Sequence, residues 1–318
     1  MASAILSNIR QDLSKFELSG LGLPLLVLLI LTMLIIPLPA FMLDLLFTFN
    51  IMVALIILMV AINSEKPLDF SAFPAILLVA TMMRLGLNVA STRVVLVKGH
   101  EGSDAAGKVI QAFGDFVIGG NYVVGFIVFI ILMIINFIVV TKGAGRVSEV
   151  IARFTLDALP GKQMAIDADL NAGVIDQEDA KKRREEIAQE SDFFGSMDGA
   201  SKFVRGDAIA GLLILVINIL GGLTIGIAQH DLSFSEAGRI YVLLTSGDGL
   251  VAQIPCLLLS LATAIIVTRV TTSESVTDQA TTQLNHPMAL FIASGILILL
   301  GTVPGMPHFI FLTLGFAA

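Results

Sequence analysis

A chain of 318 residues would allow two ordinary soluble domains, but one that is 56% apolar and 14% charged, with mean hydropathy +0.90, is not an ordinary soluble chain. Composition points instead to a membrane protein interrupted by one polar stretch, because Lys142 to Asp207 holds 23 of the 45 Asp, Glu, Lys and Arg residues. The net charge of −7 offers no basic footprint for nucleic acid, the single Cys256 excludes an intrachain disulfide, and the 4 histidines show no close metal-ligand spacing.

In chain order, residues 1–17 are expected to be a cytoplasmic N-terminal segment carrying Arg10, Asp12, Lys15 and Glu17. The apolar run behind them outlasts a signal-peptide core and shows no A-x-A-like cleavage site, so it is expected to be a retained anchor. A hydrocarbon core of roughly 30 Å needs about 20 apolar residues in a helix. Uncharged runs therefore count as spans, and the clearest are Leu18 to Leu43, Leu45 to Ser64, Phe116 to Thr141, Ala208 to His230 and Gly249 to Thr268. Another lies around Pro74 to Val97, interrupted by Arg84 and Arg93. No Asp, Glu, Lys or Arg follows Asp278, and His286-Pro287 and Pro304-Gly305-Met306-Pro307 divide that tail into a seventh span and the start of an eighth. The expected fold is an all-α polytopic membrane protein of about eight transmembrane helices, with a small mixed cytoplasmic segment between helices four and five. Its divisions are 18–141 for helices one to four, 142–206 for the cytoplasmic segment and 207–318 for helices five to eight. The last span stops early, as it would in a fragment lacking a cytoplasmic C-terminal domain.

Short cytoplasmic loops collect Lys and Arg. With the N-terminus inside, 14 of the 19 basic residues fall on the cytoplasmic side; Lys98, Lys108 and Arg239 fall outside, and Arg84 and Arg93 lie in or near the third span. In the cytoplasmic segment, Asp176 can cap a helix whose Glu178 and Asp179 precede Lys182 and Arg183 by four residues. Pro160-Gly161-Lys162 breaks the helical pattern and reads as a turn. It is no P-loop, because Lys162 is followed by Gln163 and the upstream glycine is missing.

Ionisable groups at bilayer depth cost at least ~2.5–3.5 kcal/mol on translocon scales, so each needs a partner, water or a function. Thr81, Arg84, Asn88 and Ser91 recur at three- and four-residue intervals and form one stripe that should face the interior. Arg84 reads either as a satisfied interior arginine or as part of a working site. Arg93 projects from the other side, where it can snorkel to water. Asp207 reads either as a first-turn carboxylate of span five or, beside Lys202 and Arg205, as a group whose proton affinity follows local packing. Asp248, in Ser246-Gly247-Asp248-Gly249, reads as an outer turn or as a helix interruption lining a cavity. Asp207 and Asp248 are thus placed near opposite faces, with Arg84, Asn88, Asn218 and Gln253 as candidate intermediates. Glycines 119, 120, 125, 211, 221, 222 and 226 allow helices to approach closely. No Ser-His-Asp set or paired catalytic acids emerge, so the chain reads as non-enzymatic.

The run Arg146-Val147-Ser148-Glu149-Val150-Ile151-Ala152-Arg153-Phe154-Thr155-Leu156-Asp157-Ala158-Leu159-Pro160-Gly161-Lys162-Gln163-Met164-Ala165-Ile166-Asp167-Ala168-Asp169 closely resembles the signature of the FlhA/FHIPEP family, the export-gate proteins of flagella and type III secretion injectisomes. Leu159 departs from the Met common there. Ser201 to Ala208, Leu87 to Arg93 and Gly247 to Pro255 extend the likeness over essentially the whole chain. The resemblance implies eight membrane helices and a cytoplasmic domain that docks chaperones and cargo. It also implies a homo-oligomeric ring, typically of nine subunits, among other export-apparatus subunits at a flagellar basal body in the bacterial inner membrane. It favours the flagellar over the injectisome branch. Asp207 matches the family's proton-coupling aspartate, and the resemblance moves Arg93 toward ion coupling or subunit contact. Asp207, Asp248, Arg93, Arg84, Asn88 and Lys202 are therefore the ion-coupling candidates. The coupling ion is H+ or Na+, with no other cofactor and no located metal site. A scaffold without ion conduction remains the alternative.

Overall fold

A computed structural model describes residues 22–269, 285, 287–302 and 307–317. The expectations for residues 1–17 and for Asp278, His286 and Pro304 to Met306 lie outside these. Every regular element among the described residues is helical.

Helix α1, Gly22–Ile35, stops before Ile36-Pro37-Leu38-Pro39, and α2 runs from Ala40 to Asn63. The single run expected from Leu18 to Leu43 is therefore divided, because the two prolines lack the N–H groups that would carry a helix onward. After a 3-10 turn at Pro67–Phe70, α3 spans Phe73–Lys98 with Pro74 in its first turn, where a missing N–H costs nothing. Helix α4, Lys108–Ile118, is capped from α2: the Asp44 carboxylate accepts from the backbone N–H groups of Lys108 and Val109 at 3.0 and 2.9 Å. The residue just before Lys108 must be glycine. Gly107 has φ +115°, and a Cβ there would lie 2.4 Å from Asp44 Oδ1. Gly119 and Gly120, both at positive φ, turn the chain into α5, Tyr122–Ile135, whose first amides bond the Asn121 side chain. The expected span from Phe116 thus begins later, after a separate helix.

Helix α5 does not end in a loop. It passes through a wide π turn, Asn136–Thr141, directly into α6, Lys142–Asn171. Pro160 sits inside α6 without breaking it, contrary to the sequence expectation; it and Leu156 are exposed, so water can take the carbonyl bond that proline forfeits. Helix α7, Gln177–His230, begins at the Asp176 cap and runs 54 residues, about 81 Å at 1.5 Å per residue. The polar segment is consequently a helical hairpin of α6 and the first half of α7, not a mixed structure. Helix α8, Phe234–Thr268, opens on a reciprocal cap between Ser233 and Glu236. It continues through residues 246–249, where an interruption was expected. Helices α9, Pro287–Gly301, and α10, His308–Ala317, pair with each other through the Ser294 hydroxyl and the Gly315 carbonyl.

Five of these helices are long and apolar enough to cross a membrane: the α2, α3, α5–α6, α7 and α8 rods. Three further apolar helices, at Pro24–Ile35, Leu290–Gly301 and His308–Ala317, are shorter. Against about eight expected spans, the last of them cut short, the described residues hold five long apolar helices and three shorter ones. Leu25, Ile131, Leu213 and Leu220 belong to a broad exposed apolar belt that suits lipid. Inside, two apolar layers fill the bundle. The inner one joins Phe73 and Leu77 to Met197, Leu259 and Ile266, and the outer one joins Phe47, Leu87 and Val94 to Tyr241 and Leu244. Inner and outer follow the sequence-based orientation.

Candidate functional site

Between the two apolar layers, α3, α5, α7, α8 and the π turn line a cavity of about 50 Å3. Its α3 wall comes from the polar stripe, and all four members are buried. Thr81 and Ser91 spend their hydroxyls on carbonyls of their own helix, at 2.7 and 3.1 Å, which leaves Arg84 and Asn88 to face the cavity. Arg84 forms an ion pair with Asp207 of α7, the two side chains being 1% and 2% exposed. About three turns along α7, Asn218 donates from Nδ2 to Asp248 Oδ2 of α8 at 3.3 Å. Arg84, Asn88, Asp207, Asn218, Asp248 and Gln253 all line this one space.

Asp207 therefore does not open a helix; it lies thirty residues into α7, buried, where no cap function exists. Asp248 is not near the outer surface either. Helix α8 begins at Phe234, so Asp248 sits about 21 Å along it, level with Asn218 in the bundle interior. The placement of the two acids at opposite faces is thus corrected: they share a cavity without being paired to each other. The glycines flanking Asp248 serve packing. A Cβ at Gly247 would lie 2.0 Å from the Ile110 carbonyl of α4, and one at Gly249 would lie 2.6 Å from the Phe129 ring of α5. Close approach of α8 to two neighbours, and not helix breaking, requires them.

Two carboxylates and one guanidinium give the cavity an acid in excess. Asn88 Oδ1, Asp207 Oδ1, Asn218 Oδ1 and Asp248 Oδ1 are buried without a hydrogen-bond partner among the described residues. Such acceptors are costly unless a donor, water or cation reaches them. Asn136 Oδ1 joins that set from the π turn, and Thr141 and Thr245 also line the cavity. Sequence reading missed these three. The available signal was Asn136 alone among the apolar residues from Val123 to Val140, and π turns recur at functional sites.

The other candidates lie elsewhere. Arg93 is exposed and donates to the Ile35 carbonyl at 2.8 Å, capping the end of α1. Lys202 faces outward and binds Asp198 on its own helix at 2.7 Å; that hydrogen bond and the Asp198 charge raise its pKa from the ordinary lysine value. The signature residues run along α6. Arg146, Glu149, Arg153, Asp157, Pro160, Gly161 and Gln163 are exposed, whereas Lys162, Asp167 and Asp169 pair across the hairpin with Glu190, Arg184 and Arg183 at 2.6, 2.5 and 3.3 Å. The hairpin base is tight, with Ser201 donating to Ser148 at 2.9 Å and Arg205 packed over Gly145.

The FHIPEP family matches residues 30–318. Flagellar biosynthesis protein FlhA of Proteus mirabilis is 62% identical over 290 residues, covering 91% of this chain and 42% of its own length. FlhA of Salmonella typhimurium is 61% identical over the same shares, and FlhA of Escherichia coli K12 is 57% identical over 310 residues, 97% of this chain and 45% of its own. The chain thus spans less than half the length of these relatives. No solved structure matches it.

Proposed function

The chain belongs to the FHIPEP family, and from that premise we propose that it is the membrane part of a flagellar protein-export gate in the bacterial cytoplasmic membrane. In this reading it assembles with further copies into a ring beside other export-apparatus subunits. It couples movement of protons, with sodium as the alternative ion, to passage of cargo that chaperones deliver to a cytoplasmic domain. The observation that carries the coupling is the buried cavity in which Arg84 neutralises Asp207 while Asp248 accepts from the Asn218 amide and has no cation paired to it among the described residues.

The chemistry follows from charge balance. A proton arriving at Asp207 removes the counter-charge of Arg84, and an uncompensated buried guanidinium is expensive. Arg84 then gains by turning toward Asp248 in the same cavity. Because Arg84 stands on α3 and the two acids on α7 and α8, that exchange moves helices relative to one another. In the full-length protein, Asp207→Asn should abolish export while membrane insertion and ring assembly persist. Normal secretion by that variant would sink the coupling role.

A scaffold that conducts nothing is the second reading, favoured by the same ion pair taken as a fixed tie between α3 and α7. It predicts vesicles that leak neither protons nor sodium above protein-free controls.

A further inference from the structure

The cavity lies between the two apolar layers, and a second set of unpartnered polar atoms lies on its outer side. Tyr241 and Thr245 precede Asp248 on α8 by seven and three residues, which puts the three on one helical face. All are buried, at 0%, 1% and 4% exposure, and Tyr241 Oη, Thr245 Oγ1 and Asp248 Oδ1 each lack a hydrogen-bond partner among the described residues. Burying three such atoms in file along one seam has a cost that packing alone does not explain.

The seam is built around the tyrosine ring. Added Cβ atoms at Gly99 of α3's end and at Gly222 and Gly226 of α7 would lie 2.7, 2.3 and 2.8 Å from it, so three glycines fit themselves to this side chain. Beside Gly99, His100 stacks on His230 with ring centroids 3.5 Å apart, and both residues are half-buried at the outer end of α3 and α7. His100 Nδ1 is a further buried atom without a partner among the described residues. Below, Thr245 already lines the cavity. From Tyr241 to Asp248 the rise is about 10 Å, a distance that two hydroxyls and one or two waters can bridge.

We propose that Tyr241 and Thr245 form the outer arm of a proton path, which leads from the stacked His100 and His230 at the outer surface to Asp248 in the cavity. The proposal rests on the coupling role given above and adds its entrance and its selectivity. An imidazole N–H bond breaks at the entrance as an O–H bond forms on the first acceptor, each hydroxyl then accepts a proton on one lone pair and releases its own on the far side, and the last O–H forms on the Asp248 carboxylate. The Tyr241 ring packs against Gly222 without room for even a methyl group between them, and the selectivity proposed for this arm is that it carries protons and excludes sodium.

The test uses full-length protein in phosphatidylethanolamine and phosphatidylglycerol vesicles with an entrapped pH dye and an imposed pH gradient. Tyr241→Phe removes one oxygen and keeps the ring; Thr245→Val removes the other and keeps the shape. Each should lower proton flux about tenfold or more, with far-UV helicity and unfolding midpoint held at wild-type values, and Thr245→Ser should recover it. Exchanging external potassium for sodium should change nothing. Proton flux at wild-type level in both Tyr241→Phe and Thr245→Val would overturn the path and leave the coupling role of Asp207 standing. A sodium flux that disappears in Tyr241→Phe would overturn its selectivity. Wild-type vesicles that carry no protons would end both proposals together.

Discussion

The Arg84–Asp207 pair makes a quantitative prediction, because both side chains are almost wholly removed from solvent. Arg84→Met keeps an unbranched chain of similar length and deletes the charge, leaving a buried carboxylate without its cation. Breaking a buried pair from one side costs about 3–5 kcal/mol, and the adjoining cavity, which offers some relief through water, places this case near ~3. Adding Asp207→Leu removes the stranded charge. The double variant should then return to within about 1 kcal/mol of the parent or exceed it, since an apolar replacement dispenses with two desolvation penalties. The assay is reversible unfolding in mixed micelles, followed by far-UV circular dichroism as the denaturing detergent fraction rises, for the parent, both single variants and the double. A double variant as unstable as Arg84→Met would refute the reasoning, since the loss would then come from packing around residue 84 and not from an orphaned charge.

Gly247→Val puts a branched side chain against the Ile110 carbonyl and should cost about 1–3 kcal/mol in the same titration, whereas Gly143→Ala, with nothing within 4 Å, should be neutral or slightly stabilising. At the outer start of α8, the Ser233 hydroxyl and then the Ser233 amide donate to the Glu236 carboxylate and hold its pKa below the ordinary glutamate value. A depressed folded value means the cap contributes fully above the ordinary glutamate range and is lost as pH falls through the folded one. Protection of the Ser233 amide, its exchange rate taken relative to the intrinsic rate at each pH, should therefore fall on acidification, and Glu236→Gln should flatten that dependence.

Much of the bundle was legible because lipid leaves few choices: apolar runs of sufficient length become helices, and the Thr81, Arg84, Asn88, Ser91 stripe declares its buried face by period alone. Helix ends were less legible. Pro160 and Gly247 carry the composition of breaks, yet each lies in a continuous helix, one because its lost bond faces solvent and the other because a neighbouring backbone needs the space. That single misreading of Gly247-Asp248-Gly249 moved Asp248 outward by several turns and separated it from Asp207. Depth in a bundle depends on where the whole helix starts, and the start of α8 was hidden in a mixed stretch containing Glu236 and Arg239. Asn136 was visible as a lone polar residue in an apolar run, but what gives it significance is the widened turn, and that widening exists only in the hydrogen-bond register.

The length of α7 has a mechanical consequence. Its first half is bolted to α6 by three ion pairs and the Ser148–Ser201 contact, and the same unbroken rod carries Asp207 and then Asn218 before reaching the outer surface. A pull or twist on the hairpin therefore cannot dissipate in a loop before it reaches the acid. It arrives as displacement of Asp207 against Arg84, which is anchored on a different helix. Hairpin and ion pair are thereby joined through one continuous helix.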